Sequence, residues 1–428
     1  MIKVSDLKKF EESNLYGTVV IGVGTLISAF FSYLVQFFLG RKLSISDYGS
    51  FNALLSLSYL AGVPATVLGV SLVKIVSELF VKDDNHQLKY LFKELVALLL
   101  LTGFAFFIIF FFFRFKISEV LKIYNITSIV LFSALLGLGF ISLLIPSYLQ
   151  GLQKFKKLAI FQIIGSLTRF MVPAFFVLLG FGLNGVFGGM FLASILSFFI
   201  GLAFLSFKVN GSEISRNTEY LKKLIVFSLP VLFVSFFLMS LNNIDIILVK
   251  TFFSPDTAGY YSGVVTLGKI LLFGAGAVTI IMFPKITALY SRGTNYISEL
   301  KKLLFLLTVL VLGGVACYFV FPALLTHVFF GKGFEHSIQY LPLFSIFVGL
   351  YVFINFFVMF FLAVNKRSVS ILLLPGVLLQ YLLISVYHET IFQVIWINIF
   401  ICIITLSLLV IYLYTNVIKC QAELITKS

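Results

Sequence analysis

Two cations stand deep inside apolar sequence. Lys269 lies near the middle of an apolar run over 258–290, and Arg169 is about as deep in a run over 158–180. An ionisable side chain at the centre of a membrane-spanning helix costs roughly 2.5–3.5 kcal/mol on insertion scales, so such a residue faces a cavity or a partner. Arginine offers a planar two-pronged donor and lysine a compact point charge; in a dry site both suit an anion. Lys74 is a third candidate cation for substrate binding, with Glu78 four residues on at the spacing of a helical pair. That pair reads mainly as a snorkelling one at the membrane interface. Asp245, near one end of the run 223–250, could hold Na⁺ or a proton, or pair with a neighbouring cation such as Lys269. Asn242, Asn243 and Gln36 are polar companions that could line a cavity.

The elements that must position these residues are membrane helices. The chain has 428 residues, 60% hydrophobic and 11% charged, with a mean hydropathy of +1.10. A soluble domain is about half apolar and a quarter charged, and must still present a wet surface, so lipid is the solvent here. Runs able to cross about 30 Å of hydrocarbon at 1.5 Å per residue fall at 16–39, 49–79, 91–113, 124–149, 158–180, 183–207, 223–250, 258–290, 302–321, 338–364, 368–387 and 391–415. The reading is an all-α polytopic protein of about twelve spans. The first run is too long for the apolar core of a signal peptide and reads as a retained span. The longest loops, near 80–90, 208–222 and 322–338, hold about fifteen residues, too few for a soluble domain.

Lysine and arginine divide unequally between alternate loops. The side holding both termini carries 22 of them and the other side 7, among the latter Lys250. The positive-inside rule then puts the N- and C-termini in the cytoplasm of a multi-pass protein of the cell membrane. The net charge of +14 is therefore spent on loops and anionic headgroups of membrane lipids rather than on nucleic acid.

The chain also repeats itself. Arg41 to Gly49 resembles Lys250 to Tyr261, with Asp47 and Asp256 set 209 residues apart. The loop at Gln150-Gly151-Leu152-Gln153 answers Ala363-Val364-Asn365, with Gln153 and Asn365 set 212 apart. Nearly equal offsets indicate six helices followed by six in the same orientation, an N-lobe over 1–210 and a C-lobe over 211–428. Parallel repeats of this kind are a transporter architecture with a substrate site between the halves. The repeat sets Gln36 opposite Asp245. Asp47 and Asp256 precede helices, where they suit N-capping. Pro173, Pro230, Pro284 and Pro375 fall within or near helix ends, as packing bends or hinges.

Several patterns carry no chemistry. Gly180-Phe181-Gly182-Leu183-Asn184-Gly185 fits a dinucleotide fingerprint but joins two apolar runs, so it reads as a hairpin turn, with Gly185 and Gly189 allowing close helix packing. Cys317, Cys402 and Cys420 have no metal or redox spacing, the four histidines do not cluster, and there is no P-loop. The expectation is no catalytic residue, no metal and no cofactor beyond Na⁺ or H⁺ coupling.

Taken in order, five landmarks resemble the polysaccharide-transport (Wzx-type) flippases of the multidrug/oligosaccharidyl-lipid/polysaccharide (MOP) exporter superfamily. They are Leu39-Gly40-Arg41 with Ser46-Asp47-Tyr48-Gly49, Asn242-Asn243-Ile244-Asp245, Gly259-Tyr260-Tyr261-Ser262, Phe283-Pro284, and Phe330-Gly331-Lys332-Gly333-Phe334. The resemblance implies two six-helix lobes around a central cavity, as in multidrug (MATE-like) relatives, that rock between inward- and outward-open forms. It implies transport of an undecaprenyl-pyrophosphate-linked sugar repeat unit, with polysaccharide polymerases and glycosyltransferases as partners. It also lines the cavity with the first, second, seventh and eighth helices, which favours Lys269 as a pyrophosphate contact. Lipid II flippases usually carry two further helices, against the twelve read here. The competing readings are a cation-coupled multidrug antiporter, which two central cations disfavour, and a membrane polymerase or glycosyltransferase, for which a large loop or a carboxylate pair is missing.

The charge asymmetry is testable by fusions after Ser428. A green fluorescent reporter there is expected to fluoresce and alkaline phosphatase to stay inactive; the reverse pattern would overturn the orientation.

Overall fold

The computed structural model describes residues 4–205, 231–366 and 368–415, with side chains from residue 20 onward. Lys208, Arg216, Lys222, Lys223, Arg367, Lys419, Lys427, Cys420 and Pro230 lie outside the described residues, as does the expected boundary at 210. The elements are α1 (Val4–Lys42), α2 (Ile45–Ala61), α3 (Val63–Val81), α4 (Asn85–Phe112), α5 (Arg114–Val120), α6 (Ile126–Ser142), α7 (Leu144–Gly151), α8 (Phe155–Leu178) and α9 (Gly182–Phe204). They continue with α10 (Val231–Leu241), α11 (Ile244–Phe252), α12 (Pro255–Ser291), α13 (Ile297–Val320), α14 (Pro322–Phe330), a 3₁₀ turn (Lys332–Ser337), α15 (Leu341–Ala363), α16 (Val369–Val386) and α17 (Ile391–Leu413). Among the described residues 11 helical segments are long and apolar enough to cross a membrane, and the pair α10 and α11, bent by 44°, brings the number to 12. The protein is an all-helical, multi-pass membrane protein. In lipid every backbone amide must find its partner inside the chain, and helices achieve this span by span.

Three expected spans are broken rather than straight. The run 49–79 divides into α2 and α3 at Gly62, with Pro64 in the first turn of α3. The run 124–149 divides into α6 and α7 near Pro146, and 223–250 bends at Asn242 and Asn243. Two expected loops differ from the sequence reading. The stretch 322–338 is α14 plus the 3₁₀ turn, and the loop near 80–90 shrinks to three residues before α4. Asp47 and Asp256 also differ: both helices start earlier, so each aspartate sits inside a first turn. Ser254 caps α12 instead, accepting from the Thr257 amide at 3.2 Å. The aspartates still oppose the positive helix end.

The chain forms two compact units, residues 1–44 with 61–232 and residues 45–60 with 233–428. In the first unit α8 packs on α1 and α9, α6 on α4 and α9, and α3 on α7. The α8–α9 hairpin turns at Gly180 and Gly182, whose φ of +89° and +51° suit glycine. A Cβ at Gly189 would come 2.5 Å from the Pro173 Cα, so the G-x-x-x-G pair does allow a close approach. The second unit is built around α15, which packs against α12, α13 and α17 and buries Phe344, Phe347, Phe356 and Phe360. Outward faces stay apolar: Phe104 and Phe112 of α4 are 61% and 75% exposed, as lipid contact requires.

Two landmarks of the expected repeat share one backbone closure. Gln153 (φ 55°) ends α7 with Lys154 N donating to Leu149 O, and Asn365 (φ 59°) ends α15 with Lys366 N donating to Phe361 O. The same closure recurs after α3 and α12. There Asp84 N reaches Leu79 O and Thr294 N reaches Leu289 O, around the positive-φ residues Asp83 and Gly293. Both are the helix-ending motif in which a left-handed residue satisfies the last carbonyls.

Helix α2 belongs to the second unit because it crosses α12 at two glycines. A Cβ at Gly49 would lie 2.8 Å from the Gly259 amide nitrogen, and one at Gly259 would overlap the Ile45 carbonyl. Around this crossing Tyr48 bonds Thr266 at 2.9 Å and packs edge-on against Phe330 and Phe334. Gly259→Val is therefore expected to destabilise the protein by about 1–3 kcal/mol, read as a lower unfolding midpoint in detergent. Gly274→Ala, with open space around it, should leave the midpoint unchanged or raised.

Candidate functional site

The bend between α10 and α11 is made of Asn242 and Asn243, and it organises the charged residues of the second unit. Asn243 precedes α11 but makes no side-chain cap. Its amide nitrogen donates back to Met239 O at 2.9 Å, which turns its oxygen toward α12. Lys269 Nζ donates to that oxygen at 3.1 Å and lies 5.3 Å from the centre of the Tyr59 ring. The lysine is thus held by a neutral amide and an aromatic face, contacts that steady an ammonium without neutralising it.

Two residues on from Asn243, Asp245 is 1% exposed. Its Oδ2 accepts from the Tyr261 hydroxyl at 2.5 Å and from Asn398 Nδ2 at 3.4 Å. Gln380 Nε2 in turn donates to Asn398 Oδ1 at 2.9 Å and to Leu241 O at 3.2 Å. Three helices, α11, α12 and α17, thereby meet at one carboxylate, and α16 joins them through Gln380 and Asn398. Lys269 makes no salt bridge to it within 4.0 Å, so hydrogen bonds hold the aspartate rather than an ion pair. Two oxygens of this network are buried without a hydrogen-bond partner: Asp245 Oδ1 and Gln380 Oε1. A buried polar atom left unmatched costs about 1–3 kcal/mol.

The other sequence candidates, apart from Asn242, lie in the first unit. Arg169 lines a cavity of about 270 Å³ together with Ser28, Ser32, Gln162 and Ser197. Thr168 bonds Ser197 at 3.1 Å behind it, which joins α8 to α9. Gln36 is half-buried on α1 outside that wall, and Lys74 and Glu78 are exposed on α3. Asn242 is half-buried beside Asn243. The structure therefore brings Lys269, Asn243 and Asp245 into one neighbourhood of the second unit and lines a pocket of the first unit with Arg169.

Four members of these clusters escape the sequence reading. Gln380 and Asn398 are single polar residues within apolar helices, detectable by the rule that singles out Lys269. Tyr261 and Tyr59 carry no such mark, because tyrosine is ordinary in a membrane helix. Lys250, which the sequence places in an outer loop, instead ends α11 fully buried, with Nζ 3.5 Å from the Ser46 carbonyl. The reason is the α2–α12 crossing, which covers the end of α11 with the start of α2.

Comparison with known proteins places this geometry. No curated protein matches the chain. Among solved structures, an inward-facing multidrug resistance MATE family transporter of the MOP superfamily matches with a TM-score of 0.74 at 14% identity, over 93% of this chain and 98% of that one. The lipid II flippase MurJ, in an inward closed conformation, matches with a TM-score of 0.71 at 15% identity, over 94% and 89%. The MATE multidrug transporter DinF-BH matches with a TM-score of 0.67 at 15% identity, over 95% of each chain. These likenesses establish a MATE-like fold. A family model described as polysaccharide biosynthesis protein matches residues 15–290, more than half of the chain. The chain thus belongs to the polysaccharide biosynthesis protein family and has the fold of the MOP superfamily, in line with the order of its sequence landmarks.

Proposed function

We propose that the protein is a flippase: it moves a lipid-linked oligosaccharide repeat unit, of the undecaprenyl-pyrophosphate type, from the cytoplasmic to the outer face by alternating access. The observation that carries this reading is Lys269, a cation with no salt bridge to Asp245 within 4.0 Å, held by Asn243 and Tyr59 within a membrane-spanning helix. A pyrophosphate needs such a cation where water is scarce. Membership of a polysaccharide biosynthesis family supplies the sugar side of the reading. Arg169 and Lys74 are further candidate contacts for anionic groups, and the polar Gln36 and Asn242 for sugar hydroxyls. Polymerases and glycosyltransferases handling the same lipid would be the working partners. The transporter acts by binding and release, with no bond broken.

Coupling to an ion gradient is the second part of the proposal. Asp245 Oδ1 and Gln380 Oε1 are hard oxygen donors without hydrogen-bond partners, a donor type that suits Na⁺, and a proton on Asp245 would satisfy the same atom. The fold likeness to multidrug transporters leaves drug export as the competing reading, which the positive charge of Lys269 and Arg169 disfavours.

Lipid analysis after deletion of the gene tests the first part. Complete repeat units on their lipid pyrophosphate are expected to accumulate on the cytoplasmic face. Single units reaching the outer face unpolymerised would point to a polymerase, and an unchanged glycolipid profile would overturn the proposal. Lys269→Ala is expected to reproduce the deletion while the protein stays in the membrane at normal abundance; full activity would remove the central cation from the mechanism. For coupling, Asp245→Asn keeps the acceptor for Tyr261 and is expected to fold. Transport by this variant should no longer respond to a Na⁺ or pH gradient imposed across vesicles, and a retained response would rule Asp245 out.

A further inference from the structure

The pocket around Arg169 combines apolar walls, Pro146, Phe161 and Phe198, with a run of serine hydroxyls. The hydroxyls of Ser32, Ser142, Ser166 and Ser194 each donate to a carbonyl of their own helix, to Ser28 O, Leu138 O, Ile163 O and Met190 O at 2.8–2.9 Å. A serine hydroxyl has one proton and two lone pairs, so what these four oxygens have left to offer is acceptor capacity. Gln162 Oε1 and Ser28 Oγ, in the same wall, are buried with no hydrogen-bond partner. Against this ring of acceptors stands one cation, the Arg169 guanidinium, on the face of α8 that also carries Gln162 and Ser166.

Such a wall discriminates. A bare metal cation or ammonium would meet suitable oxygens but also the positive charge of Arg169. A simple inorganic anion would take the Arg169 guanidinium, the Gln162 amide and the Ser28 hydroxyl as donors but leave the four serine acceptors and Gln162 Oε1 unmet. The fitting occupant donates several hydrogen bonds and carries one negative group. The volume of about 270 Å³ is far above the 10–15 Å³ that one water needs. It falls just below the roughly 300–1,000 Å³ of pockets that take drug-sized ligands, a size for one ring rather than an oligosaccharide. We infer that this pocket of the first unit binds a single acidic sugar residue, its ring hydroxyls donating to Gln162 and the serines and its carboxylate paired with Arg169. The inference rests on the proposal that the protein carries lipid-linked sugars, and it adds that the carried glycan is acidic.

The test uses the full-length protein in lipid nanodiscs and free D-glucuronate, with saturation-transfer difference NMR as the readout. D-glucose and inorganic phosphate serve as comparison probes. Glucuronate is expected to show saturation that glucose gives only weakly, with phosphate a poor competitor. Arg169→Gln should weaken glucuronate binding by about tenfold or more, and Arg169→Lys, which keeps the charge, by less. Gln162→Leu should weaken glucuronate and glucose alike. Equal signals for glucose and glucuronate, displacement by phosphate at the same concentration, or no saturation in the unmodified protein would each overturn the inference. A matching unfolding midpoint for Arg169→Gln and the unmodified protein establishes that a loss of binding is local. Because binding is read on purified protein with free sugars, its failure leaves the export proposal standing. An unchanged glycolipid profile in the deletion strain would remove the export proposal while leaving the pocket's sugar binding in place.

Discussion

The contact on which the candidate site depends is the crossing of two backbones at Gly49 and Gly259. Neither position has room for a Cβ, so α2 and α12 approach more closely than side chains would allow. That approach sets Tyr48 against Thr266 and the aromatic pair Phe330 and Phe334. It brings Tyr59, further along α2, over Lys269. Without hydrophobic drive between helices in lipid, small residues and tight van der Waals packing decide which helices associate. Here they recruit a helix from early in the chain into the second unit, and the lysine's aromatic partner comes with it.

The ionisable groups inside the spans are treated in two different ways. Asp245 is enclosed by hydrogen bonds from Tyr261 and Asn398, with Gln380 behind. Lys269 is given one neutral acceptor and a ring. Enclosing a carboxylate in a converging polar network holds four helices in register and leaves a specific atom unmatched. Holding an ammonium loosely keeps its field available. The same contrast separates structural from working charges in a low-dielectric medium, where an unpaired group interacts most strongly with whatever enters.

Much of this is legible in the sequence, for physical reasons that differ by residue. Spans are legible because lipid demands about twenty apolar residues at a time. The repeat is legible because Gln153 and Asn365 do the same backbone task in left-handed conformations. The Asp83 and Gly293 pair performs an equivalent task with unlike residues, which no comparison of residue types detects. The buried state of Lys250 is also hidden, since a lysine ending an apolar run looks interfacial until α2 is found above it. The alternation of hydroxyls and carbonyls around Arg169 depends on rotamers, which spacing alone does not encode. Breaks at Gly62 and at Asn243 are concealed because both halves of each span stay apolar.

The Tyr48–Thr266 bond joins residues 218 positions apart, and this imposes an order on biogenesis. Helix α3 can dock on α7 as soon as the first unit is made. Its immediate neighbour in the chain, α2, cannot: its partners in α12 emerge on the order of ten to forty seconds after α2 itself at ordinary rates of synthesis. During that interval the strip around Tyr48 has no interior to enter, and a tyrosine hydroxyl stands in or near the bilayer without its final partner. The break at Gly62 lets the two halves of one span mature on separate schedules, so the early half is held in waiting while the later half is already built in.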